Sequence, residues 1–167
     1  MEGAEQDTAR RMNETTFMRR AIALSDEHMR ANHGGPFGAV VVHDGQVVGE
    51  GWNQVTSTCD PTAHAEVVAL RDACRKLGRF HLEGAELYTS CEPCPMCLSA
   101  AYWARVDKIW FANDRKDAAA IHFSDDDIYE QVALPLEQRS IPMQRLLGDE
   151  AKRVFEAWTA KQDRTPY

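Results

Sequence analysis

From Thr15 to Ala31 the apolar positions recur at helical spacing. Phe17, Ile22, Leu24 and Met29, with alanines between them, predict a helix capped by Thr15 or Thr16. The polar residues before it, 1–13, read as a loose tail. "GGPF" (34–37) breaks the helix, and the period then changes. "GAVVVHDGQVVGEGW" (38–52) places two β-branched runs on either side of Asp44-Gly45, a pair suited to a two-residue turn, so this segment reads as a hairpin. A polar loop, "NQVTSTCDPT", leads into a helix from about Ala63 to Leu77. "AELYTS" (85–90) reads as a strand, "CPMCLSAAYWA" (94–104) as a short helix and "DKIWFA" (107–112) as a strand. A helical stretch over 126–132, a strand near "IPMQRLL" (141–147) and a helix near "DEAKRVFEAWTAKQ" (149–162) complete the chain. Helix, hairpin, then alternating helices and strands predict an α/β fold: a three-layer α/β/α sandwich with a central mixed sheet of about five strands.

Composition narrows the class. The chain has 167 residues, 44% of them hydrophobic and 27% charged, as expected of one globular domain over 14–167. The start has no apolar core of a secretory signal, and no stretch approaches the roughly 18 consecutive apolar residues of a membrane helix. Five cysteines, three of them in one cluster, argue against a disulfide framework and for a reducing compartment, so the expected location is cytoplasmic. A net charge of −7 argues against a surface built to grip a nucleic-acid backbone.

The cluster is "SCEPCPMCL" (90–98), with Cys91, Cys94 and Cys97 at intervals of three. A Cys-x-x-Cys pair at a turn entering a helix can set two sulfurs on one metal, where free N–H groups and the helix dipole favour thiolates. Pro93 and Pro95 favour a helix starting near Pro95. That selects Cys94 and Cys97 as ligands and leaves Cys91 at the end of the preceding strand. Alone, the cluster also suits a redox dithiol or buried, unreactive thiols. His64, opening a helix after "DPT", is the candidate third ligand. A lone histidine is more often structural, but paired with Pro-Cys-x-x-Cys it suits a catalytic zinc site, which uses three protein ligands and leaves one position for water. Glu66, two residues on, either compensates the helix dipole or moves a proton as general base.

His-x-Glu with Pro-Cys-x-x-Cys is a known zinc-deaminase signature. The sequence resembles the cytidine deaminase superfamily, and within it the small bacterial zinc-dependent guanine deaminases. The pieces that carry the resemblance are "GGPFGAVVV", "GWN", "DPTAHAEV", "LYTSCEPCPMC", "YWAR", "FSDDDIY", "IP" and the closing tyrosine. Where that branch often shows "GFDD", this chain has "HFSDD". The resemblance implies a cytidine deaminase-like fold and zinc-dependent hydrolysis of guanine to xanthine and ammonia, through attack of zinc-bound hydroxide at C2. It implies His64, Cys94 and Cys97 as zinc ligands and Glu66 as the proton carrier. It further implies that Asn53 hydrogen-bonds the purine, Phe37 stacks on it, Trp103 walls the pocket and Tyr167 closes it. Asp125 is the second acid, with Asp126 and Glu130 as alternatives. A homodimer is implied, with the segment of about 125–167 exchanged between protomers.

On pattern alone, Asn53 equally suits a turn, Phe37 and Trp103 suit core packing, Asp125 suits a helix cap and Tyr167 a frayed end. Rival functions are a tRNA adenosine deaminase, a deaminase of guanosine, cytosine or a triazine, and a zinc-stabilised binding domain in which Cys91 supplies a fourth ligand.

Overall fold

The structure, a computed structural model, describes residues 2–166, with side chains from Asn13 onward. The chain divides into two compact units after Asp125.

The first unit comprises α1 (Glu2–Arg30), β1 (Gly38–His43), β2 (Gln46–Trp52), α2 (Val55–Thr58), α3 (Ala65–Leu77), β3 (Ala85–Cys91), α4 (Pro95–Ala104), β4 (Lys108–Asn113) and α5 (Arg115–Ala120). The hairpin forms as its sequence requires. Asp44 and Gly45 both take positive φ, 50° and 72°, which matches the twist of the flanking strands. The sheet order is β2-β1-β3-β4. Both β2 and β3 run antiparallel to β1, and β4 runs parallel to β3, so the sheet is mixed.

Strand β1 explains the three layers. Ala39 and Val41 point into a core made with α3 and α4, whereas Val40 and Val42 point into a second core made with Ala21 and Leu24 of α1 and Tyr88 of β3. A strand buried on both faces reads as a continuous apolar run, as "AVVV" does. The expected α/β/α sandwich is therefore present. Helix α1 presents Phe17, Ala21 and Leu24 to the sheet and turns Ile22 to solvent.

Helix α3 lies unusually close to β2. A side chain at Gly51 would strike the Ala65 carbonyl oxygen, and one at Gly49 would strike that of Ala69, so the alanines of α3 rest directly on bare strand backbone. At the outer edge, the Arg20 guanidinium grips the Glu50 carboxylate through two hydrogen bonds of 2.7 and 3.0 Å. These bonds hold the Glu50 carboxyl below its usual range. The Glu50 N–H, which faces away from the sheet, donates to Asp72 of α3 at 3.1 Å. An edge strand that would otherwise offer unpaired groups is thereby occupied from both layers.

Four expectations change. The described sheet has four strands, since residues 141–147 form none. Pro142 cannot donate to a ladder, and Ile141 and Leu146 are left exposed. The loose tail over 1–13 is helical from Glu2, because "EGAEQDTARRMNE" is rich in helix formers and free of proline. Short α2 falls within the expected polar loop. Short α5 arises from a reciprocal cap, in which Asp114 accepts from the N–H groups of Lys116 and Asp117 while Asp117 accepts from that of Asp114.

The second unit contains α6 (Asp126–Ala133), a single 3-10 turn at Leu136–Gln138 and α7 (Gly148–Ala160). The Arg139 guanidinium donates to the carbonyls of Leu134 and Val132, closing the turn after α6. Helix α7 exposes Val154, Phe155 and Trp158.

The contact between α3 and β2 generates a prediction. Gly51→Val should destabilise the fold by about 1–3 kcal/mol through overpacking, read as a lowered denaturant midpoint. An unchanged midpoint would show that α3 can lift from β2 without loss.

Candidate active site

Two helix starts build the site. His64 and Cys94 hold equivalent positions, each the extended residue immediately before a helix: φ −69°, ψ 154° before α3, and φ −64°, ψ 168° before α4. Neither side chain caps its own helix, so both are available to point elsewhere. Because β2 and β3 are parallel and α3 and α4 pack against the same face, both helices begin beyond the carboxyl ends of those strands. Open α/β sheets place their ligands at that end.

The imidazole and two thiols meet there. His64 Nδ1 is 3.6 Å from Cys94 Sγ and 3.5 Å from Cys97 Sγ. The three donor atoms lie within 4.8 Å of one another, and among the described residues no other group of three metal-ligating side chains converges in this way. Nitrogen and sulfur held about 2.0 and 2.3 Å from one tetrahedral zinc ion stand roughly 3.5 Å apart, so the spacing fits. The protonation chemistry fits as well. The Cys94 thiol is pulled down to about 4, first by a hydrogen bond from Cys97 and then by His64. The Cys97 thiol is pushed up because it serves that thiolate and is buried. Left to themselves the sulfurs support one negative charge, and a dication lets both ionise. Cys91 stays outside the group. Its thiol faces the Asp114 carbonyl at 3.7 Å, and burial pushes it up to about 11, so it stays protonated.

Glu66 sits in the first turn of α3 and is only 6% exposed. Burial pushes its carboxyl up to about 7; the charge of Cys94 adds to this, while His64 and a hydrogen bond from Cys97 oppose it. A carboxyl poised near neutrality beside the sulfurs can accept and return a proton.

Asn53 is 7% exposed at the end of β2. Its Oδ1 accepts from the N–H groups of Gly35 and Val55, at 3.2 and 3.3 Å, and its own N–H donates to the Phe37 carbonyl at 3.0 Å. The side-chain oxygen is thus occupied by backbone N–H groups at Gly35 and Val55. Phe37 packs on the core beneath α3 and meets Phe123 edge to face, with centroids 5.0 Å apart and planes at 81°. Asp125 is half-buried, and its charge contributes to raising the Cys91 thiol. Trp103, six residues beyond Cys97 on α4, is 71% exposed in the single chain. Tyr167 lies outside the described residues. Sequence reasoning overlooked Phe123. Its signal was an aromatic residue inside "HFSDD", one position after His122, whose φ of 69° turns the chain sharply.

The family model for the cytidine and deoxycytidylate deaminase zinc-binding region matches residues 11–113. The chain belongs to that deaminase family. Within it, a guanine deaminase from Bacillus subtilis is 50% identical over 147 residues, spanning 88% of this chain and 94% of that protein. The crystal structure of guanine deaminase from the same organism superposes with a TM-score of 0.89 at 47% identity, covering 92% of this chain and 98% of the other. A tRNA-specific adenosine deaminase from Aquifex aeolicus is 42% identical, but over 87 residues only, which is 52% of this deaminase and 58% of that one. The zinc cofactor expected of the sequence accords with the family and with the His64–Cys94–Cys97 group.

The geometry separates an open site from a closed one. Cys91→Ser should retain one zinc per chain by elemental analysis, whereas His64→Ala and Cys97→Ser should each lose it. Zinc lost from Cys91→Ser would make Cys91 a ligand and the centre structural.

Proposed function

We propose that this deaminase hydrolyses guanine to xanthine and ammonia. The observation that carries the reading is the extent of similarity. The match to a guanine deaminase runs over nearly the whole of both chains at 50% identity, whereas sequence matches to tRNA adenosine deaminases are 36–44% identical and span about half to two thirds of this chain. The net charge of −7 points the same way, since a tRNA substrate calls for a basic face.

His64, Cys94 and Cys97 would hold zinc, which when bound would supply Lewis acidity that lowers the pKa of water towards 7. Glu66 takes the water proton and passes it to a ring nitrogen as the water oxygen adds to C2. Carbon C2 becomes tetrahedral, a second proton reaches the amino group, and ammonia leaves. Asp125 is the acid for that second transfer, or it holds the ring N–H.

Asn53 reads an acceptor on the purine. Its oxygen is already engaged by Gly35 and Val55, so the amide NH₂ is the part left for substrate. Phe37 stacks on the base, braced edge-on by Phe123. Trp103 and Tyr167 complete the walls.

We also propose a homodimer that exchanges the segment after about Asp125. Ile141, Leu146, Phe155 and Trp158 of that segment are exposed in the single chain, as are Tyr102 and Trp103 on α4. A second copy would bury them at low cost, since exchanged segments remake the same contacts. Five free thiols support a reducing, cytoplasmic setting.

Three measurements test these readings. Glu66→Gln should keep its zinc while kcat falls about 10²–10⁴-fold, and ammonia release from guanine should exceed that from guanosine, adenine, cytosine and triazine amines. Retained turnover would remove Glu66 from the mechanism, and a better rival substrate would replace guanine. Light scattering should give twice the chain mass; an active monomer would end the exchange model.

A further inference from the structure

His28, in the last turn of α1, and His33, in the turn after it, bring their Nδ1 atoms within 3.0 Å of one another. The backbone enforces this approach. Asn32 takes the left-handed conformation at φ 59°, and the His33 N–H donates to the His28 carbonyl at 2.9 Å, so the chain doubles back. The His28 ring and the His33 backbone are also held from outside. The His28 imidazole lies flat on the Trp52 indole, with centroids 3.5 Å apart and planes within 2°. The Ser57 hydroxyl donates to the His33 carbonyl at 2.8 Å.

Two neutral imidazoles at this distance can share one proton between them, and protonating both would set two cations side by side. Burial, and then the charge of His33, hold the His28 pKa down, which keeps its lone pair available at neutral pH. Two nitrogens bound to one divalent transition ion at about 2.0–2.1 Å stand roughly 2.8–3.4 Å apart, a range that includes the observed separation.

We propose that His28 and His33 form a second metal site, distinct from the His64–Cys94–Cys97 centre, that takes a divalent ion such as nickel, copper or zinc through two imidazole nitrogens. The absence of a carboxylate or carbonyl from the pair disfavours magnesium and calcium. His33 is exposed, so the ion has access and solvent completes its shell. Nearby Glu27 supplies favourable charge that Arg20 partly offsets. An ion here would clip the end of α1 to the segment running through Gly35, whose N–H holds Asn53 in place.

The test uses the untagged, zinc-loaded full chain titrated with nickel sulfate in a calorimeter, with zinc content measured before and after. One nickel should bind per chain with zinc unchanged, and His33→Gln should weaken that binding at least about 100-fold. Nickel should also raise the thermal midpoint of the parent and leave that of the variant unmoved, because only a ligand of the native state shifts unfolding. Equal nickel affinity in the variant, no nickel uptake by the parent, or uptake matched by loss of zinc would each overturn the proposal.

Discussion

Two helix starts at one end of a sheet are the constraint on which the rest depends. A residue just before a helix has extended backbone and can aim its side chain away from the helix axis, while the N–H groups behind it favour negative charge. Here α3 and α4 begin next to one another, and His64 and Cys94 occupy those places. Neither helix could be moved independently. Helix α3 is pinned by its alanines against Gly49 and Gly51, and α4 lies between β3 and β4, whose parallel pairing fixes its direction. The site is rigid because the core beneath it is.

Electrostatics follows from that placement. Two sulfurs, an imidazole and a carboxyl gathered in a largely buried space cannot all take their ordinary charges. One thiol is drawn down, its neighbour is forced up, and Glu66 is lifted to about 7 by burial. Perturbations of this size, caused by burial together with a named charge partner, mark functional sites more often than structural ones. Outside the site the ion pairs are of the ordinary surface kind. Arg20, Glu50 and Asp72 protect a sheet edge and hold the layers together, with little reach to the chemistry.

The second unit is different in character. Its two helices and the turn closed by Arg139 are locally well specified, yet Leu146 is 84% exposed and Phe155 75%. Within that unit these side chains do not find the apolar cover that the composition asks for. The expected strand at 141–147 failed for a related reason: alternation favours a strand, but a strand needs a neighbour to accept its hydrogen bonds, and Pro142 removes one donor.

The sequence by itself determined whatever depends on neighbours along the chain. The Asp44-Gly45 turn, the doubly buried "AVVV" run, the helix after Pro95 and the pairing of His-x-Glu with Pro-Cys-x-x-Cys are all local patterns with local causes. Through the helix start at Pro95 the sequence also singled out Cys94 and Cys97 over the equally spaced Cys91, but it could not show what each thiol faces. Only the end of β3 and the direction of α4 turn one thiol to the Asp114 carbonyl and two to His64. Nor could it reveal that the oxygen of Asn53 is spent on backbone N–H groups, that Phe123 braces Phe37, or that Trp103 is exposed in the single chain. Those facts arise from contacts between residues distant in sequence, and tertiary packing alone decides such contacts.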